Sequence, residues 1–197
     1  AFKELVLTPP SESYIAEQVS VVDPQKIHQL RETMRRQIAL DMQDDWSWAY
    51  AHHRVKGEYS PDAASSGLRA LQGLALNYLC LAGQCQHDDR WADQALEAFT
   101  RAHNMTERML ALQALVSVNH PLAAQALASF HHQFRHEELV LDKWFSVQAS
   151  ACDHDGHVLG RVRQLIQHPD FQIRNPNRAR SLVSSFCSNP AAFHRAD

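Results

Sequence analysis

Apolar residues three or four positions apart recur along most of this chain. Behind Asp23-Pro24, which supply a cap and a first-turn proline, Ile27, Leu30, Met34 and Ile38 mark one face of a helix several turns long. Ser60-Pro61 opens another, carrying Leu68, Leu71, Leu74, Leu76, Leu79 and Leu81 on more than one face. That pattern predicts the most buried helix, and Gly83 is placed to end it. The same periodicity predicts helices over 89–102, 106–118, 121–134, 139–151, 158–167 and 176–186. Asn104, His120-Pro121 and Asn175-Pro176 stand at helix starts, where a side chain satisfies free backbone N–H groups. Alternation of the kind a strand needs is confined to residues 5–7, so residues 1–8 read as an extended lead-in.

Short connectors between helices of this length favour antiparallel hairpins. The expected fold class is all-α, an α-solenoid of stacked antiparallel helical hairpins in an armadillo/HEAT-like superhelix, read as one domain over 1–197. A compact helical bundle is the alternative architecture. The rings of Trp46, Trp48 and Tyr50 suit packing against the rest of the fold, while 51–66, 83–90 and 152–160 read as largely loop.

Composition narrows the function. A hydrophobic content of 45% with six glycines is that of a soluble globule, and the apolar run 109–118 is broken by Gln113 and Ser117, short of a membrane span. A net charge of -3 gives no basic field for nucleic acid, so neither nucleic acid nor membrane is an expected partner. Cys80, Cys85, Cys152 and Cys187 have no CxxC spacing and read as reduced, mostly buried thiols; the expected location is cytoplasmic. The chain starts without Met or a signal peptide and stops abruptly, which reads as a segment of a longer protein.

Thirteen histidines raise the question of a metal. His132 and His136 would share a helix face at i, i+4, but that is half a site with no identifiable third ligand. The HExxH arrangement of zinc peptidases fails at the last position of His136-Glu137-Glu138-Leu139-Val140, because Val140 cannot ligate. No metal ligands and no catalytic residues are therefore assigned. Cys152-Asp153-His154-Asp155-Gly156-His157 reads as a turn, and no glycine-rich phosphate loop or GxSxG occurs. Arg174, Asn177, Arg178 and Arg180 cluster around one helix start, where positive charge opposes the helix dipole. Either structural salt bridges or a partner's carboxylates, on a neighbouring domain or a peptide, would resolve that conflict.

Three stretches, 139–145 (LVLDKWF), His168-Pro169-Asp170-Phe171, and Asn175-Pro176-Asn177-Arg178 through Asn189-Pro190-Ala191-Ala192-Phe193-His194, resemble the C-terminal helical region of the bacterial aminopeptidase N family. Val22-Asp23-Pro24 and His103-Asn104-Met105-Thr106-Glu107-Arg108 resemble it too, so the likeness covers most of the chain. The resemblance implies a multidomain zinc metallopeptidase that removes N-terminal residues from peptides. Zinc and its ligands belong to the catalytic domain of the same polypeptide, which is this segment's implied partner, and the segment itself needs no cofactor. It would be a non-catalytic lid or scaffold enclosing the active-site cavity, meeting peptide substrates only through the parent enzyme. The competing reading is a free-standing α-solenoid that binds other proteins.

Overall fold

The computed structural model describes residues 2–195, and no strand occurs among them. The helices are α1 (Phe2–Leu7), α2 (Glu12–Glu17), α3 (Pro24–Asp41), α4 (Gln43–His52), α5 (Ala63–Gln86), α6 (Arg90–Arg101), α7 (Met105–Ser117), α8 (Leu122–Phe134), α9 (Glu138–Ala149) and α10 (His157–Ile166). Three short ones follow: α11 (Pro176–Ala179), α12 (Ser185–Cys187) and α13 (Pro190–Phe193), with a π-helical turn, Arg180–Ser184, between α11 and α12. The expected extended lead-in is instead the helix α1, with Ala1 outside the described residues. Among the described residues two compact units form, one from residues 2–11 and 29–122, the other from 12–28 and 123–195.

In the first unit α5 is the central helix, packed by α1, α4, α6 and α7. Asp62, not Ser60, caps its start by accepting the Ser65 N–H at 2.9 Å. Arg69, buried on α5, donates to the Ser60 carbonyl at 2.5 Å and lies over the Tyr59 ring, so it pins the loop that enters the helix. Gly83 does not end α5, which runs one turn further to a left-handed His87 (φ 56°). The glycine is required there because a Cβ would lie 2.5 Å from the Asp88 carbonyl oxygen as the chain folds back. Gly73 leaves room for a side chain of α7: a Cβ there would meet Leu110 Cδ2 at 2.6 Å and push that side chain aside.

Helix directions follow from pairings. Gln43 with Gln86, Trp46 with Tyr78 and Gln72 with Tyr50 run in opposite order, so α4 is antiparallel to α5. Asn77 with Ser117 and Gln84 with Val118 run in the same order, so α5 and α7 point the same way with α6 between them. This up-down-up order is the solenoid pattern expected from the short links.

The apolar face predicted for α3 is buried only in part, with Ile27 and Ile38 half-buried. Leu30 is 61% and Met34 43% exposed, whereas Glu32 and Ala39 are buried. Glu32 is tolerated inside because Arg35 meets it at 2.6 Å and also donates to Asn77 Oδ1 at 2.8 Å. Trp46 and Tyr50 are buried as expected, but Trp48 is exposed and stacks on His52. Among the thiols only Cys80 is fully buried, its pKa pushed up to about 12 by burial, and Cys187 is exposed, contrary to its reading as a packed side chain.

The second unit repeats the alternation. Asn175 with Glu138, Arg178 with Asp142, Ser185 with Ser146 and Asn189 with Ala149 rise together, so α9 and the α11–α12 stretch run in one direction. Trp144 ties α9 to α8 by donating Nε1–H to the Leu127 carbonyl at 2.9 Å. Near the start of the unit, His28 donates from Nδ1 to Glu12 at 2.7 Å and has Cys152 Sγ 3.8 Å from Nε2. Hydrogen bonding to Cys152, then to Glu12, raises its pKa to about 10 against the partial burial that opposes it. A raised histidine pKa stabilises the fold fully below its unfolded value near 6.5, and that contribution is lost as pH rises towards 10. The stability advantage of the native chain over His28→Gln should therefore shrink by on the order of 2 kcal/mol between about pH 6.5 and 9. Urea titrations of both chains across that range measure it, and a pH-independent difference would contradict it.

Candidate functional site

Asn175 caps α11 as its sequence position suggests, accepting the Asn177 N–H at 3.0 Å and the Arg178 N–H at 3.3 Å. The cap aims the four predicted site residues in different directions. Arg178 turns inward and is 4% exposed, whereas Arg174, Asn177 and Arg180 face solvent. The Arg178 guanidinium donates Nε–H to Asp142 Oδ1 at 2.6 Å and Nη1–H to the Asp170 carbonyl at 2.5 Å, and sits 5.0 Å from the Phe145 ring centre. The conflict of an arginine with the helix dipole is thus settled inside the unit for Arg178, by α9 and the turn after α10. Arg180 starts the π-helical turn, a feature with no local signal in the sequence and one that often accompanies function.

Arg178 lines a hollow of about 250 Å³ together with Arg135, His136, Glu138, Asp170 and Asn175 among others. A hollow of about 460 Å³ in the first unit is lined by Arg54, Arg69, Glu97, Arg101 and Glu107 among others, and brings together none of the residues put forward from the sequence.

The histidine pair His132 and His136 does not form. Helix α8 stops at Phe134, so His136 is off the helix, and both side chains point to solvent. One residue earlier, His131 donates Nε2–H to Asp170 Oδ2 at 2.6 Å. His168 Nδ1 accepts the Asp170 backbone N–H at 3.2 Å and lies 3.8 Å from the same carboxylate oxygen. Asp170 is held below the usual carboxylate range, first by the His131 hydrogen bond, and burial followed by the neighbouring His131 pushes the His168 pKa down. Sequence reasoning missed this trio because His131 stands 37 and 39 residues before its partners, and His168-Pro169-Asp170 entered only as part of a family resemblance.

Over residues 1–197 the sequence matches the DUF3458_C family, described as a domain of unknown function with ARM repeats. It is 40% identical over 195 residues to aminopeptidase N of Caulobacter vibrioides, covering 98% of this chain and 22% of that protein. It is 34% identical over 194 residues to aminopeptidase N of Escherichia coli, covering 98% and 21%. The crystal structure of Legionella pneumophila aminopeptidase A in complex with aspartic acid is similar at 28% identity with a TM-score of 0.83, over 97% of this chain and 23% of that one. The chain thus spans little more than a fifth of the length of these relatives, and the all-α solenoid read from periodicity agrees with the repeat class of the family.

Proposed function

Because the chain belongs to the DUF3458_C ARM-repeat family, we propose that it is a helical lid and scaffold of a larger zinc aminopeptidase, non-catalytic by itself, that helps enclose the cavity where peptides lose their N-terminal residues. The observation that carries this reading is the likeness over the whole chain to about a fifth of aminopeptidase N, in a sequence whose nearest approach to HExxH ends in Val140. An HExxH-type site would need two such histidines, a glutamate base and a further ligand to hold zinc, so on this reading the zinc and the chemistry it would supply belong to a catalytic domain of the same, cytoplasmic, polypeptide.

On this reading Arg174, Asn177 and Arg180 make the contact with a neighbouring domain or a peptide carboxylate, since they are exposed while Arg178 is occupied internally. The π-helical turn supports Arg180 in particular, because it re-aims the helix where that arginine starts it. In the full-length enzyme, Arg180→Ala should raise the peptide KM roughly 3- to 10-fold with kcat little changed, the pattern of lost binding rather than lost chemistry. The 197-residue chain alone should not release nitroaniline from an aminoacyl nitroanilide. Turnover by the pure chain would sink the reading, and unchanged peptide kinetics in the Arg180 variant would remove that residue from it.

A further inference from the structure

Three donors from two distant segments converge at one place in the second unit: an imidazole from the end of α8 (His131), and an imidazole and a carboxylate from the turn after α10 (His168 and Asp170). One ligand atom from each lies within 4.8 Å of the other two. Tetrahedral zinc with bonds of roughly 2.0–2.2 Å places its donors about 3.4 Å apart. The separations of 2.6 Å and 3.8 Å from Asp170 Oδ2 to the two rings straddle that spacing. The side chains are 22%, 25% and 36% exposed, which leaves a path for an ion and room for water to complete its shell. The rings pack closely against one another and against Trp144. His131 and His168 meet edge-on with centroids 5.0 Å apart, and the Trp144 ring lies 4.9 Å from one and 5.2 Å from the other. Arg178 fixes the backbone of Asp170 through its carbonyl, and its own charge is offset by Asp142.

We propose that His131, His168 and Asp170 bind a divalent transition-metal ion of the zinc class, which ties the end of α8 to the turn after α10. Two imidazoles and one carboxylate suit Zn²⁺ or Co²⁺ and disfavour Mg²⁺ and Ca²⁺, which take oxygen donors. His131 binds through Nε2 as the tautomer that carries its proton on Nδ1. His168 binds through the Nδ1 lone pair that now accepts the Asp170 N–H. The site is a clasp and needs no part in peptide hydrolysis, so it stands or falls independently of the lid reading.

The test uses the chain itself, stripped with chelator and titrated with Co²⁺ and Zn²⁺. One equivalent should bind, cobalt should show the visible absorption of a site with nitrogen ligands, and zinc should raise Tm. His168→Ala and Asp170→Asn should each weaken binding roughly 10-fold or more, while a His132→Ala, His136→Ala double variant should leave it unchanged. In the native chain, paramagnetic Co²⁺ should shift the His131 and His168 ring protons, a readout that does not depend on any variant folding. Absence of stoichiometric binding overturns the proposal, as does binding that loses affinity with His132 and His136 but not with His168, or cobalt shifts on other histidines.

Discussion

Arg178→Met should lower the free energy of unfolding by about 3–5 kcal/mol, and the melting temperature by roughly 10 °C. The size comes from what is left behind more than from what is removed. Asp142 would keep its carboxylate, itself 14% exposed, in the interior without the guanidinium 2.6 Å away. The Asp170 carbonyl would lose a donor, and the Phe145 face its cation. Arg178→Lys keeps the charge but not the planar fork that reaches Asp142 and the Asp170 carbonyl together, so it should recover only part of the loss. Pairing Arg178→Met with Asp142→Leu should recover more, because an apolar pair leaves no charge uncompensated. Arg180→Ala, two residues on and exposed, should fall within about 0.5 kcal/mol of the native chain. Urea and thermal unfolding of these chains measure the series. A single Arg178→Met variant melting within about 2 °C of the native chain would contradict the argument.

That contrast between neighbouring arginines shows which parts of this molecule were legible in the sequence. Caps were, because they are local: Asn104 accepts the Glu107 N–H, Asn175 the Asn177 and Arg178 N–H groups, and Asp23 the Lys26 N–H, each within three residues. Helix periods were legible for a similar reason. The face a helix buries was legible only in part: on α3 the middle of the apolar stripe, Leu30 and Met34, stays in solvent while Glu32 goes inside, where Arg35, itself bonded to Asn77 42 residues away, meets it. Gly83 was read as a helix end because glycine often is one, yet its reason is the close return of Asp88. His132 and His136 were paired at i, i+4 although the helix, predicted and observed alike, stops at Phe134, while His131 found its partners 37 and 39 residues downstream. Local chemistry identified the candidate segment 174–180; choosing which arginine turns inward required Asp142, 36 residues upstream.

Trp46→Ala should cost about 3–5 kcal/mol, the usual loss for emptying a large aromatic site in a core. Trp46 is 2% exposed, and its ring stacks on Tyr78 of the central helix with centroids 4.5 Å apart and planes 13° from parallel. Its Nε1–H also donates to the Ile38 carbonyl at 3.2 Å, so one side chain joins the end of α3 to α4 and α4 to α5. Trp46→Phe separates the two roles. Phenylalanine can keep much of the stack, and the Ile38 carbonyl keeps the Met42 N–H at 3.2 Å, so the lost hydrogen bond should cost only about 1 kcal/mol beyond the smaller ring. Trp48→Ala is the control within the same helix: that ring is exposed, touches His52 and His53, and should matter by no more than about 0.5 kcal/mol. Equal losses at Trp46 and Trp48 in urea unfolding would mean that α4 is stabilised by its own helical propensity and not by its seat on α5, and the antiparallel α4–α5 pair would cease to be the cornerstone of the first unit.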